Sequence, residues 1–287
     1  MLQPTDHELS LLSPFERFAF KLADFYNRRL RWLARLSNRT FMLFVLAVTG
    51  GFRIRGYGVH NVDDIDGHDR VILVANHRSF FDYFVIMWVN FTNTRLSSRI
   101  LFPVRSTFFY ERPLGVLINL VFAGMAMFPP VMRDRRKRLF NQYSVRRALD
   151  ELTVPGTLLG FHPEGTRNKT SDPYTLLPGK PGVGEIIIDS DEMVKVVPIF
   201  VVGMSNNLAL ETWRNWFNPS AHPIDVVYGA PIDFSDLRGQ PSTRDLQLTA
   251  AGRCMDAITT LGEFQRDHCR LKFDVPPRLE EASGGAR

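Results

Sequence analysis

The pattern of apolar and polar positions divides the chain into a helical beginning and a longer part in which strands and helices alternate. Between residues 13 and 50 apolar residues recur near helical spacing, and Ser13 followed by Pro14 is typical of a helix start. From residue 53 onward, helical patterns separate short apolar runs typical of buried parallel strands, namely "RVILVAN", "TLLGF", "MVKVVPIFVVG" and "IDVVYGAPI". The alternation predicts an α/β fold with a mostly parallel central sheet flanked by helices, preceded by an N-terminal amphipathic helical hairpin.

The N-terminal part combines a basic amphipathic helix with a short apolar run. Arginines far outnumber Glu16 and Asp24 in the helix, and the run from Phe41 to Phe52 has 12 residues. A bilayer core needs about 20 residues in a helix, so this run does not span it alone. Such a segment is predicted to lie in a membrane interface, and a hairpin packed on the rest of the chain is a compatible alternative. We predict a membrane-associating helical segment at 1–52, an α/β domain at 53–272 and a disordered tail at 273–287.

Composition and charge limit the classes of partner. Of the 287 residues, 45% are hydrophobic and 23% are charged, which is typical of a globular protein. The net charge of +5 favours an anionic partner, which can be nucleic acid, an acidic membrane or a phosphorylated substrate. The two cysteines, Cys254 and Cys269, form neither a metal-binding spacing nor a disulfide framework, so the chain suits a reducing compartment.

The stretch "VANHRSFFDYF" places His77 and Asp82 five positions apart among apolar residues. In a continuous helix, residues five apart point about 140° away from each other. A working pair therefore requires a corner between a strand and a helix, with His77 in the turn and Asp82 in the first helical turn. Ser79 and Asp82 also fit a capping box, so the aspartate can simply support the helix start, or serve both purposes.

A second polar group follows the predicted strand "TLLGF" in the stretch "GFHPEGTRNKT". Gly165, Thr166 and Arg167 offer backbone amides, a hydroxyl and a guanidinium in a row. This set suits an oxyanion such as phosphate, because arginine binds it with two hydrogen bonds and glycine allows close backbone approach. Taken alone, the stretch also fits an ordinary turn with a capping threonine, which is then the more frequent case.

Together, the H-x4-D pattern and "EGTR" roughly 80 residues later resemble the glycerolipid acyltransferases of the lysophosphatidic-acid acyltransferase type. Three further blocks occur in the order of that family. They are "FPPVMRDR" with Arg133, "LLPGKPG" with Lys180 and Gly182, and "VVPIFVVG" with Pro198. The resemblance covers roughly residues 53–235. His162 departs from the family, in which an aromatic or aliphatic residue is usual, and we expect a structural or modest tuning role for it.

The resemblance implies a membrane-associated acyltransferase on the cytoplasmic face. It would move a fatty acyl group from acyl-coenzyme A or acyl carrier protein to 1-acylglycerol 3-phosphate, giving phosphatidic acid, with no metal and no bound cofactor. Other possible acceptors are glycerol 3-phosphate, another lysophospholipid and a lyso-ornithine lipid. His77 would act as the general base and Asp82 would orient it. The implied substrate-binding residues are Arg133, Glu164, Gly165, Thr166, Arg167 and Lys180.

Two other classes of function compete with this interpretation. A metal hydrolase would use His77, Asp82, His162 and Glu164 as ligands. The sequence lacks H-x-x-x-H and H-E-x-x-H pairs, and arginines flank the supposed ligands. A non-catalytic protein would use the basic helix and "RDRRKR" to bind a membrane or nucleic acid. Nucleic-acid binding would normally show interleaved aromatic and basic residues, whereas the basic patches suit anionic lipid.

Overall fold

The computed structural model describes residues 2–96 and 99–269. Its strands are β1 (Ile54–Tyr57), β2 (Val71–Ala75), β3 (Arg99–Leu101), β4 (Val104–Arg105), β5 (Pro130–Val131), β6 (Thr157–Phe161), β7 (Lys195–Val202) and β8 (Ile224–Tyr228). Six of them form the central sheet in the order β1-β8-β7-β2-β6-β3, and β4 pairs with β5 in a small second sheet.

Four neighbouring strands of the central sheet, β7, β2, β6 and β3, run parallel to one another. Strand β8 is antiparallel to β7, and β1 is parallel to β8. All five residues of β2 are buried, as expected for a strand with helices on both sides. The structure therefore confirms the predicted α/β fold with a mostly parallel sheet.

Eleven α-helices surround the sheets in the described part of the chain. They are α1 (Asp6–Ser10), α2 (Pro14–Arg29), α3 (Arg31–Ser37), α4 (Leu43–Leu46), α5 (Asp82–Asn93), α6 (Ser106–Phe109), α7 (Pro113–Ala123), α8 (Arg138–Leu152), α9 (Pro181–Asp189), α10 (Leu208–Phe217) and α11 (Arg244–His268). Two π-helical turns, Asn38–Met42 and Ala47–Gly51, flank α4. Helix α2 begins as predicted, because Ser13 and Glu16 form a capping box with Pro14 in the first turn.

The N-terminal helices pack against the α/β part through both rings and charges. The buried ring of Phe20 on α2 stacks on Phe128 and meets Phe140 edge-on. On α8, the buried Arg147 forms an ion pair with Asp24 of α2. Packing of the N-terminal helices on the main domain, one of the two compatible alternatives, is therefore present, and their membrane association stays a prediction. The domain boundary at residue 52 stays a prediction, and the tail predicted at 273–287 lies outside the described residues.

Among the helices of residues 2–96 and 99–269, none combines the length and apolar character needed to cross a membrane.

Candidate active site

The H-x4-D stretch forms the predicted corner between a strand and a helix. Strand β2 ends at Ala75, residues 76–81 form the turn, and α5 begins at Asp82. The turn brings Nδ1 of His77 to 3.1 Å from Oδ2 of Asp82. The two side chains thus meet because the chain changes from extended to helical between them.

The carboxylate of Asp82 stabilises the turn and orients the histidine at once. Its Oδ2 accepts hydrogen bonds from the backbone N–H groups of Arg78 at 2.7 Å and Ser79 at 2.8 Å. Because an ionised carboxylate only accepts, Nδ1 of His77 carries the proton that joins them. This leaves the lone pair of Nε2 on His77 to take a proton. The hydrogen bond to the histidine ring anticipated for Asp82 is present, but the capping box anticipated with Ser79 is not, because α5 begins at Asp82 itself and no side chain caps its N-terminus.

The second motif lies beside the first because β6 pairs in parallel with β2, so the carboxyl ends of both strands share one edge of the sheet. The backbone N–H of Asn168 donates to the carbonyl oxygen of His77 at 2.7 Å. The carboxylate of Glu164 accepts from the N–H of His77 at 3.0 Å and from Leu177 at 3.4 Å. Glu164 is fully buried and holds the backbone of the turn. Its predicted contact with substrate stays a prediction.

Gly165 sits where the loop after β6 turns sharply. Its φ of +63° lies in the left-handed region, which favours glycine, and its N–H donates to the carbonyl oxygen of His162 at 2.9 Å. A Cβ at this position would come within 3.3 Å of Cγ of Lys180. The N–H of Lys180 also donates to Pro163 at 2.8 Å, so the "LLPGKPG" segment packs against the "EGTR" turn.

His162 stacks on His77. The ring centroids are 4.0 Å apart and the ring planes differ by 5°. Nδ1 of His162 lies 3.0 Å from the carbonyl oxygen of Ala75, and because a carbonyl only accepts, this nitrogen carries the proton. Burial, and then the neighbouring His77, lower the pKa of His162, so its ring is neutral at neutral pH.

A cavity of about 560 Å³ opens in front of His77. Buried or partly buried rings form its apolar wall, including Phe80, Phe102, Phe108, Phe109 and Phe161. Exposed polar residues form its mouth: Arg105, Thr166, Arg167 and Lys180. The cavity thus joins an apolar interior to a cationic opening beside the histidine.

The structure places most of the predicted site residues at this cavity. His77, Gly165, Thr166, Arg167 and Lys180 line it. Asp82 and Glu164 lie behind the lining, where they hold His77 by its ring and by its backbone. Arg133 is not part of the lining, but its charge, together with burial, lowers the pKa of Arg105, so the two guanidinium groups are neighbours.

Two residues of the site carried no signal in the sequence. Arg105 ends the two-residue strand β4, which is too short to give an apolar pattern. Oδ1 of Asn206 accepts from the N–H of Phe80 at 2.8 Å and from Nη1 of Arg167 at 3.2 Å, thereby joining both motifs. Asn206 comes 129 positions after His77, and only the folded chain shows their proximity.

Burial and charge keep the histidine unprotonated. Burial lowers the pKa of His77, and the positive charges of Arg167 and Arg105 lower it further. Burial raises the pKa of Glu164 to about 7, against the N–H donors that favour its charged form. The His77 ring is therefore neutral at neutral pH, the form in which an imidazole can accept a proton.

His77, Asp82 and His162 are the one group of three potential metal ligands found in the described ranges, with their ligand atoms within 4.8 Å of one another. The rings of His77 and His162 are parallel, so their in-plane lone pairs do not converge on one point. A tetrahedral ion would require one ring to turn, and Oδ2 of Asp82 already accepts three hydrogen bonds. The arrangement suits proton transfer better than metal binding.

Comparison with known proteins agrees with the motifs. The model of the acyltransferase family matches residues 56–202, just over half of the chain. A crystal structure of the 1-acyl-sn-glycerophosphate (LPA) acyltransferase PlsC from Thermotoga maritima is similar to this chain, with 16% identity and a TM-score of 0.48 over 93% of this chain and 98% of that one. No curated protein matches the sequence. The family match confirms the predicted resemblance at the level of acyl transfer: the chain belongs to the acyltransferase family.

Proposed function

We propose that this enzyme moves a fatty acyl group from an acyl thioester to the hydroxyl of 1-acylglycerol 3-phosphate at a membrane surface, giving phosphatidic acid. The observation that carries the proposal is the His77–Asp82 pair at a cavity with an apolar interior and a cationic mouth. An acceptor with one acyl chain and one phosphate matches both parts of that cavity. The donor is acyl-coenzyme A or acyl carrier protein, both of which are anionic.

In the proposed reaction His77 is the general base. Its Nε2 takes the proton of the acceptor hydroxyl while the oxygen attacks the thioester carbon. Asp82 accepts the hydrogen bond from Nδ1 and stabilises the imidazolium as it forms. The tetrahedral intermediate then breaks its carbon–sulfur bond, and the departing thiolate regains the proton from Nε2. The chain lacks a G-x-S-x-G motif and burial raises the pKa of Cys254, so direct transfer without an acyl-enzyme is the simpler path.

The cationic mouth would hold the acceptor phosphate. The positive charges of Arg167 and Arg105 both lower the pKa of His77, so their guanidinium groups lie near its ring. Thr166 adds a hydroxyl donor on the same rim, Gly165 forms the turn that carries it, with its own N–H donating to His162, and Lys180 packs against that turn. Arginine binds phosphate with paired hydrogen bonds, so these groups favour a phosphorylated acceptor over a neutral one.

The N-terminal helices would bring the site to the lipid. The exposed side chains of this segment include Phe25, Trp32, Leu36 and Phe44, and exposed arginines accompany them. A helical segment with apolar and basic residues on its surface is typical of binding to an anionic membrane interface. We propose that the segment lies on the cytoplasmic face and does not cross the bilayer.

The proposal is tested by acyl transfer from labelled palmitoyl-coenzyme A with the purified full chain. Lysophosphatidic acid, glycerol 3-phosphate, lysophosphatidylcholine and lyso-ornithine lipid serve as parallel acceptors, with His77→Ala alongside. We expect transfer to lysophosphatidic acid, abolished in the variant. Transfer to another acceptor alone would replace the proposed substrate. Absence of transfer to all four, from carrier-protein donors as well, would contradict the proposal.

A further inference from the structure

Helix α10 carries polar side chains inward and apolar side chains outward, the reverse of a helix that faces water. Glu211 and Asn215 are fully buried. On the opposite side, Trp213 is 53% exposed, Trp216 is 56% exposed and Phe217 is 74% exposed. Large aromatic side chains left outside while polar ones are buried indicate that the outer surface meets an apolar partner.

Buried hydrogen bonds fix this orientation. The carboxylate of Glu211 pairs with the guanidinium of Arg53, and both side chains are fully buried. The side chain of Asn215 donates to the carbonyl oxygen of Val48 at 3.0 Å and accepts from the N–H of Phe52 at 3.0 Å. Rotating the helix to hide its aromatic rings would leave Arg53 buried without its carboxylate. The outward position of the rings is therefore a stable feature of the fold.

The exposed rings of α10 continue onto the N-terminal helical segment. The ring of Phe52 meets Trp216 edge-on at 5.2 Å, and Trp213 lies 5.9 Å from Phe217. The indole N–H of Trp216 donates to the carbonyl oxygen of Val48 at 2.9 Å. We name the surface formed by Phe52, Trp213, Trp216 and Phe217 the aromatic face. It is continuous with the segment for which membrane association is proposed above.

Charge favours an anionic lipid surface as the partner of this face. No acidic residue occurs in the sequence between Asp24 and Asp63, whereas seven arginines do. Three of these, Arg29, Arg35 and Arg39, are exposed on the N-terminal helical segment. The end of that segment contacts α10 through the hydrogen bond between Val48 and Trp216. Tryptophan side chains are enriched at the depth of lipid headgroups, and exposed arginines are attracted to anionic lipids.

A second copy of the chain fits the same surface less well. A two-fold interface places one patch against itself, so the exposed arginines of the N-terminal run would face those of the other copy. Like charges brought together in this way oppose association, whereas an anionic bilayer would neutralise them.

The residues just before α10 form hydrogen bonds with both the H-x4-D turn and the "EGTR" turn. Just before the helix, Oδ1 of Asn206 accepts from the N–H of Phe80 and from Arg167, and the carbonyl oxygen of Ser205 accepts from Oγ of Ser79 at 3.1 Å. We propose that α10 is a second membrane-contacting element, whose aromatic face enters an anionic lipid surface at headgroup depth and presents the cavity mouth to the lipid. This inference deepens the membrane association of the proposed function and rests on it.

The test measures binding of the full chain to vesicles of phosphatidylcholine and phosphatidylglycerol in equal amounts. Trp213→Ser combined with Phe217→Ser should weaken vesicle binding by roughly 10- to 100-fold, because membrane affinity scales with the apolar area that enters the interface. The matched control combines Met193→Ser with Leu248→Ser, which also removes two exposed apolar side chains, and should bind like the wild type. Equal binding by the two double variants would overturn the inference.

A second measurement does not depend on the folding of that variant. Lipids with brominated acyl chains should quench tryptophan fluorescence of the unaltered chain, and Trp213→Phe and Trp216→Phe should each reduce the quenched fraction. If neither reduces it, α10 does not contact lipid.

A change from dimer to monomer in the serine variant with unchanged vesicle binding would assign the face to a second copy and overturn the inference. His77→Ala should bind vesicles normally, so failure of acyl transfer is distinguishable from failure of membrane binding.

Discussion

Two histidines lie in parallel at the end of the sheet, and their partners differ. Both His77 and His162 are buried deeply enough for burial to lower their pKa values, and their rings stack at 4.0 Å. Nδ1 of His77 faces the carboxylate of Asp82, whereas Nδ1 of His162 faces the carbonyl oxygen of Ala75. Each partner fixes the tautomer, but only the carboxylate carries a full negative charge.

The difference between a carboxylate and a carbonyl partner favours His77 over His162 as the base. A buried imidazole that takes a proton gains a positive charge, which burial opposes. The charge of Asp82 acts on His162 as well, but only His77 donates a hydrogen bond to that carboxylate, whereas Nδ1 of His162 donates to the weaker dipole of a carbonyl group. We therefore propose His77 as the residue that transfers the proton and His162 as the support of its ring plane.

The largest expected effect is the difference in kcat/KM between variants of the two histidines. His77→Ala should lower kcat/KM for acyl transfer by roughly 10²- to 10⁴-fold, since it removes the general base. His162→Phe keeps a flat ring beside His77 and should lower kcat/KM by no more than about tenfold. Both are measured by steady-state kinetics, with His60→Ala as an exposed control and thermal unfolding as a check on folding. Equal losses in the His77 and His162 variants would break the assignment.

The next effect tests the carboxylate itself. Asp82→Asn keeps an oxygen that can accept from Arg78 and Ser79, but it removes the negative charge and can present an N–H to the ring. We expect kcat to fall by roughly 10²- to 10⁴-fold with little change in KM, because the imidazolium loses its counter-charge. A variant with nearly normal kcat would mean that Asp82 serves only to hold the turn before α5.

A smaller effect concerns the cations that lower the pKa of His77. Removing the charge in Arg167→Gln should raise that pKa, so the His77 ring should become protonated at a higher pH than in the wild type. KM for lysophosphatidic acid should also rise by roughly 10- to 100-fold through loss of a charge-assisted hydrogen bond. The pKa is measured from the ring resonances of His77 by NMR and KM by steady-state kinetics, with Arg244→Gln, an exposed arginine, as the control. A pKa of His77 that stays in place, or falls, would contradict the proposed electrostatic effect.

The corner and the fold class were predictable from the sequence because they rest on local patterns, and the two motifs with the family resemblance supplied five of the residues that line the cavity: His77, Gly165, Thr166, Arg167 and Lys180. A buried strand followed by H-x4-D specifies His77 and Asp82 within a few residues. Contacts such as that of Asn206 with Arg167 depend on long-range topology, which local patterns do not encode.

Helix α10 shows why an apolar pattern does not fix the direction of burial. Trp213, Trp216 and Phe217 recur at helical spacing, which ordinarily predicts a core-facing stripe. The structure instead buries Glu211, because Arg53 is also buried and needs a carboxylate. The position of that partner emerges only when the start of β1 and α10 come together in the folded chain.

The smallest effect concerns Glu164, which supports His77 through its backbone. The pKa of about 7 for Glu164 in the folded chain lies above the 4.5 of an ordinary glutamate, so between these values the folded state binds this proton more tightly than the unfolded state. This contribution to the free energy of unfolding is therefore complete below pH 4.5 and is lost as pH rises toward 7.

Glu164→Gln removes that titration and keeps one oxygen to accept from the N–H of His77. The free energy of unfolding of the wild type should fall by about 1–3 kcal/mol more than that of the variant between pH 4.5 and 7. Thermal unfolding across that range measures it, with Glu192→Gln as an exposed control. The variant itself should be less stable at low pH, since its amide N–H₂ faces the N–H of Leu177. If the wild type and the Glu164 variant showed parallel pH profiles, Glu164 would be charged throughout, and the turn that carries His77 would rest on a buried carboxylate ion.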